Sequence, residues 1–238
     1  RQAPAMHILP SPCRGGGTGR RAGFKIRFPK GSEGSIPSSG TMSQLMIQTM
    51  KYCSDCGQTV SWKQPDGDTH ERWICDSCGR IHYQNPLPVV GCVPERDGKI
   101  LLCKRAIEPR YGYWTVPAGF MENGETTYQG AMRETEEEAN ARVAIDDLFV
   151  TVNLPHINQV YMLFRGRLLD LDFSAGEESL EVELMTEQQI PWSEMAFPTV
   201  TEALKLYFAE RAKGTFGVHM LDIVRDAGER RYSVRRLS

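Results

Sequence analysis

Six residues in one stretch have the types and spacing to do chemistry: Gly119, Glu125, Arg133, Glu134, Glu137 and Glu138, in the pattern Gly-x₅-Glu-x₇-Arg-Glu-x₂-Glu-Glu. Glu134, Glu137 and Glu138 stand at i, i+3 and i+4, so a helix brings them toward one face. Carboxylates held that close repel one another and take up protons unless a cation neutralises them. Hard oxygen donors select Mg²⁺ or Mn²⁺. Such an ion bridges substrate phosphates and generates a hydroxide nucleophile, which is the chemistry of pyrophosphate hydrolysis. Glutamate runs are ordinarily solvated helix faces, but six fixed positions at residue frequencies of about 5–7% match by chance on the order of 10⁻⁷ per start site.

A second constellation is Cys53-x₂-Cys56 and Cys75-x₂-Cys78, the two pairs separated by eighteen positions. That spacing is the zinc-ribbon pattern, in which four thiolates close a tetrahedral shell with no position left for substrate, so the metal is structural. The alternatives are two reversible disulfides or a redox C-x-x-C pair, but neither pair opens a helix in a βαβ unit. Cys92 and Cys103 lie in apolar runs and read as small core residues.

Local elements must position these groups. Thr126 with Gln129 is a capping-box signal, predicting a helix over residues 127–139 whose stripe Tyr128, Met132, Thr135 and Ala139 should face a sheet. Val89-Val90-Gly91-Cys92-Val93 and Lys99-Ile100-Leu101-Leu102-Cys103 read as strands joined through Asp97-Gly98, a hairpin signal. Further strands are expected over 142–145, 148–153, 160–168 and 181–185, a second helix over 199–213, and a short helical segment after Thr186. Strands interleaved with two or three helices indicate a mixed sheet between helices.

The 238 residues carry 28 basic and 30 acidic side chains, unevenly distributed. Residues 1–52 hold eight basic residues and one acid, leaving the remainder at a net −9, which argues against a broad nucleic-acid footprint. No apolar run is long enough to span a membrane. Residues 1–48, rich in Arg, Gly, Ser and Pro, read as a disordered leader with the composition of an organellar transit peptide, or else as a linker. Residues 49–84 form the ribbon, 85–213 the catalytic domain, and 214–238, with four arginines near the end, a tail.

The acidic pattern resembles the Nudix box of the Nudix hydrolases. The resemblance implies an α/β (α+β) fold, a Nudix α/β/α sandwich with a mixed sheet. It assigns Glu134, Glu137 and Glu138 to Mg²⁺ or Mn²⁺, with the Gly119 carbonyl nearby and Arg133 and Glu125 orienting the carboxylates. Asn140 stands where the family usually has Gly, and Thr135 where it has an aliphatic residue. The general base often lies outside the box, and Glu178 and Glu181 are the candidates. Lys104 and Arg105 are placed to hold phosphates, and Trp114, with Tyr111 and Tyr113, to stack on a ring.

A zinc ribbon before a Nudix domain is shared with NADH pyrophosphatases. Their Ser-Gln-Pro-Trp-Pro-Phe-Pro-x-Ser element is absent here, where Asn153-Leu-Pro-His-Ile-Asn-Gln-Val160 stands. From Lys51 to about Lys213 the chain, with YQNP, VVGC, LLCKR, YGYWTVPAGF and GAMRET, is similar to the plastid FAD and ADP-ribose pyrophosphatases of plants and algae. That similarity implies cleavage of FAD to FMN and AMP, ADP-ribose as a further substrate, and a chloroplast location, the alternatives being the mitochondrion or cytoplasm. The family commonly forms homodimers. Two other readings stay open: a non-catalytic Nudix subunit that binds nucleotide or scaffolds an organellar complex, and a pyrophosphatase of NADH or of nucleotide caps on RNA.

Overall fold

The computed structural model describes residues 50–225 and 232–237. The expected leader over 1–48 lies outside the described residues.

The ribbon is a three-stranded antiparallel sheet of β1 (Val60–Lys63), β2 (Arg72–Cys75) and β3 (Ile81–His82). Trp62 pairs with Trp73 and Trp73 with His82, so three rings form one row across the sheet. The larger domain is built on a nine-stranded mixed sheet. Its strands are β4 (Leu87–Arg96), β5 (Lys99–Arg105), β6 (Trp114–Thr115), β7 (Ala118–Phe120), β8 (Val143–Leu154), β9 (Gln159–Leu168), β10 (Ser179–Met185), β11 (His219–Arg225) and β12 (Tyr232–Arg236). The order is β10-β5-β4-β9-β8-β11-β12, with β6 on β5 and β7 on β4. The pairs β4–β9 and β8–β11 are parallel and the others antiparallel.

Helices α1 (Thr127–Ala139) and α2 (Pro198–Arg211) cover opposite faces. Ile100 and Leu102 of β5 join the core with α2's Val200, Ala203 and Leu204, while the alternate residues Leu101 and Cys103 pack with α1's Ala131 and Ala139. This period-2 division of one strand between two cores makes the α/β/α sandwich. Asp97 and Gly98 both have positive φ, 51° and 79°, as the two-residue turn between β4 and β5 requires.

The structure corrects several expectations. The strands expected over 142–145 and 148–153 are one strand, β8, with register shifts between Ile145 and Val150. Asp146 and Asp147 break the apolar alternation there and pair with Arg167 and Arg165 of β9. After Thr186 there is only a turn and a 3₁₀ turn at Trp192–Glu194, because Pro191 disfavours helix in the residue before it. Residues 214–238 are not simply a tail: β11 inserts beside β8 and β12 pairs with it, and Leu221 and Ile223 are fully buried. The short apolar run Met220, Leu221, Ile223 and Val224, interrupted by Asp222, carried that signal, masked by the arginines that follow.

The stripe expected on α1 is rotated. Tyr128 and Met132 are exposed, and the buried side is Gly130, Ala131, Glu134, Thr135, Glu138 and Ala139. The small residues let the helix lie close to β4, where a Cβ on Gly130 would come within 2.7 Å of Val90 Cγ2. The close approach draws two glutamates inward.

Candidate active site and zinc centre

The start of α1 is fixed by a complete capping box: Thr126 Oγ1 accepts from the Gln129 amide at 3.2 Å, and Gln129 Oε1 accepts from the Thr126 amide at 2.9 Å. Its end is fixed by Asn140, which adopts the left-handed conformation (φ 47°). Asn140 does more than tolerate that geometry. Its Nδ2 donates to Ser174 Oγ and to the carbonyls of Ser174 and Ala175. The Ser174 and Gly176 amides donate to the last carbonyls of α1, and a Cβ on Gly176 would collide with the Glu137 carbonyl at 1.8 Å. The loop bearing Glu177 and Glu178 is thereby clamped onto the helix that carries the glutamates. Thr135, fully buried, donates to the Ala131 carbonyl at 2.7 Å, so its hydroxyl is satisfied inside the core.

Arg133 organises the acids. It grips Glu125 with two bonds of 3.0 and 2.8 Å, reaches Glu134 at 2.7 Å and Glu137 at 2.9 Å, and donates to the Phe120 carbonyl. The Arg133 hydrogen bonds pull the Glu125 carboxyl down to about 2. Glu134 and Glu138 are 8% and 7% exposed. Burial pushes Glu138 up to about 8, with the Glu134 charge adding to it, and burial raises Glu134 as well. Gly119 on β7 lies against Glu134, since a Cβ there would sit 2.4 Å from the carboxylate. Glu137 remains outward, held by Arg133.

These residues line one end of a cavity of about 830 Å³. Gly119, Arg133, Glu134, Glu137, Glu138, Arg105 and Glu178 all reach it. Arg105 stacks over the Phe197 ring at 5.1 Å, and its charge acts on Glu138. Five of the expected residues do not reach the cavity. Trp114 is core, 5% exposed, because β6 packs against β5. Lys104 and Glu181 pair with each other at 2.9 Å, since strand alternation turns them away from the side that Arg105 faces. Tyr111 and Tyr113 are also outside the lining. Residues the sequence reading missed are His156, Tyr161, Phe197, Thr199, Ile223 and Tyr232. Their only sequence signal was aromatic and apolar content in segments adjoining β8, β9 and α2, which ordinary core residues share.

The four ribbon cysteines form no disulfide, and their sulfurs lie within 4.8 Å of one another. Sγ separations of 3.7 Å (Cys53–Cys78) and 3.4 Å (Cys56–Cys75) approach the edge of about 3.8 Å that a ZnS₄ tetrahedron with bonds of about 2.3 Å requires. The Asp55 and Cys78 amides donate to Cys53 and Cys75, and the Cys78 amide is the first cause that draws the Cys75 thiol down to about 6. The donor set fits zinc. Among the described residues it is the one group of metal-type ligands this closely gathered.

A three-layer sandwich with this acidic helix defines a class, and comparison with known proteins agrees. Residues 85–207 match the NUDIX domain, and residues 51–84 match the zinc ribbon described as Nudix N-terminal. The chain belongs to the Nudix family, in its zinc-ribbon-bearing form. A Nudix hydrolase of known crystal structure from Nitrosomonas europaea is 57% identical with a TM-score of 0.72, over 74% of this chain and all of that one. The NAD-capped RNA hydrolase NudC of Photobacterium profundum is 28% identical over 63% of this chain and 53% of its own length. The ADP-ribose pyrophosphatase of Methanocaldococcus jannaschii is 29% identical over 46% of this chain and 67% of its own. The chain spans about half the length of the NudC relatives it matches.

Proposed function

We propose that the protein hydrolyses the pyrophosphate bond of a dinucleotide or nucleoside diphosphate derivative, with FAD, giving FMN and AMP, and ADP-ribose as the substrates. The observation that carries this is the buried pair Glu134 and Glu138, tied through Arg133 to Glu125, at one end of a cavity of about 830 Å³. That volume is within the range of nucleotide-sized ligand sites. Two mutually repelling buried carboxylates beside Gly119, which has no Cβ to block the approach, fit a hard divalent cation, Mg²⁺ or Mn²⁺, which Glu134, Glu137, Glu138 and the Gly119 carbonyl would hold. When bound, the ion supplies Lewis-acid polarisation of a phosphoryl oxygen and a water of lowered pKa.

The chain's own side chains do the rest. Arg105 offers a guanidinium to a phosphate, its Cζ resting over the Phe197 ring. Glu178, clamped beside α1 and lining the cavity, is the base that takes the proton from water; this choice over Glu181 is supported by the pairing of Glu181 with Lys104 and by its place outside the lining. FAD is favoured by the similarity from Lys51 to about Lys213 and by the absence of the NADH-type element after the box. The basic composition of residues 1–48 supports a transit segment and a chloroplast location. NAD-capped RNA is the second reading, favoured by the activity of the NudC relatives.

The test is hydrolysis of FAD, ADP-ribose, NADH and NAD-capped RNA side by side with Mg²⁺ or Mn²⁺, using the wild type and Glu138→Gln. Release of FMN and AMP that the variant loses supports the proposal. Cleavage of capped RNA alone moves the assignment to the second reading, and a folded, zinc-bound protein that cleaves none of them points to a binding subunit.

A further inference from the structure

The cavity has two chemically different ends. Arg105 on β5 and the acids of α1 line one side, while Leu154, Ile157, Ile223 and Tyr232 come from the end of β8, the turn after it, β11 and β12, farther across the sheet, and give an apolar wall. In that wall His156 and Tyr232 face each other, ring centroids 5.6 Å apart and tilted by 47°. The His156 imidazole hydrogen-bonds to the backbone of Ile223, while its Nδ1 is buried without a partner. With Nε2–H donating to the Ile223 carbonyl, a neutral imidazole leaves Nδ1 as an acceptor. Burial lowers the His156 pKa, the Arg225 charge adding to it, which keeps the ring neutral at pH 7.

A neutral, unpaired acceptor has nothing to offer a phosphate oxygen, which also only accepts. It calls for a ligand N–H, because a buried group left without its hydrogen bond is costly. Thr199 Oγ1 is a second unpartnered polar atom in a residue of the same lining, 2% exposed.

We propose that this end is a subsite for a neutral heteroaromatic ring bearing an amino donor, the chemistry of the adenine end of a dinucleotide. The ring stacks on the Tyr232 face and, since the two side-chain rings are tilted by 47° to each other, meets the edge of His156 and donates its amino group in-plane to Nδ1. Tyr232, 42% exposed on the edge strand β12, is the side chain that swings aside to admit it. The segment that composition marks as a tail thus supplies a specificity residue. The assignment rests on the pyrophosphatase reading for its setting, and its test separates the two.

Calorimetric binding of AMP and IMP, and hydrolysis of ADP-ribose and its hypoxanthine analogue, are measured with Mg²⁺ on the full chain. Hypoxanthine replaces the amino group with a carbonyl oxygen. The wild type should prefer the adenine ligand at least ten-fold, and His156→Phe, which keeps a ring and loses the acceptor, should bring that ratio close to one. Tyr232→Ala should raise KM for ADP-ribose about five-fold or more with kcat within two-fold, and Tyr232→Phe should restore it. AMP and IMP bound equally or not at all, or an unchanged ratio in His156→Phe, overturns the subsite even where hydrolysis persists. The binding preference without any hydrolysis keeps the subsite and overturns the pyrophosphatase reading instead.

Discussion

Burying Glu138 beside Glu134 costs the folded protein stability whenever both are ionised, and that cost sets a pH dependence. The folded-state pKa of Glu138, about 8, lies above its ordinary value of 4.5. The contribution of Glu138 to stability is therefore fully present below about pH 4.5 and is lost as pH rises through 8, a loss on the order of a few kcal/mol. Without divalent cations, the melting temperature should fall between pH 5 and 8.5. Adding Mg²⁺ should reverse the fall, and Glu138→Gln should flatten the profile. A flat wild-type profile contradicts the burial argument. Glu125 works in the opposite sense: Arg133 holds its pKa at about 2, so its contribution is present above 4.5 and is lost as pH falls toward 2. Arg133→Ala should steepen acid denaturation and reduce kcat roughly 10- to 100-fold, the usual cost of losing a group that orients metal ligands.

At the scale of the element, α1 and the loop over residues 174–178 act together through Asn140. Asn140→Gly keeps the left-handed turn but removes three donor contacts, so it should lower kcat several-fold with little change in melting temperature. Unchanged kcat separates the loop from catalysis. Gly176→Ala, whose methyl would press on the Glu137 carbonyl, should be the more severe of the two in both measurements. How much of this was legible differs by element. The bounds of α1 followed from Thr126, Gln129 and Asn140, because caps are local chemistry. Its buried side did not, since helix periodicity treats Glu134 and Glu138 as polar and a functional site turns them inward. The strand over 142–153 looked divided because two aspartates interrupted its alternation, and their partners on β9 lie distant in sequence. Lys104 and Arg105 are adjacent, and only the strand's pairing shows that Arg105 alone faces the cavity.

Across the whole molecule, the ribbon and the Nudix domain depend on different forces. Three short strands bury too little apolar surface to hold themselves, so zinc must supply the ribbon's folding free energy. Removing zinc with a thiol-competitive chelator should expose the Trp62–Trp73 pair, 5.1 Å apart, and shift tryptophan emission to the red. The shift should be accompanied by release of one equivalent of metal, and Cys75→Ser should reproduce it. Emission unchanged after zinc loss would show that the ribbon stands on its own core. The carboxylate site and the four cysteines were legible in sequence because their ligands lie close together along the chain. The apolar end of the cavity was not, because it is assembled from β8, β9, α2 and the C-terminal hairpin, which meet only in the folded sheet. In the proposed reaction water attacks a phosphorus of the substrate's pyrophosphate. Turnover of FAD in ¹⁸O-water, followed by mass spectrometry of the products, tests it most directly. One ¹⁸O on the phosphate of either FMN or AMP is the predicted result; free adenine, or FMN and AMP without label, would contradict it.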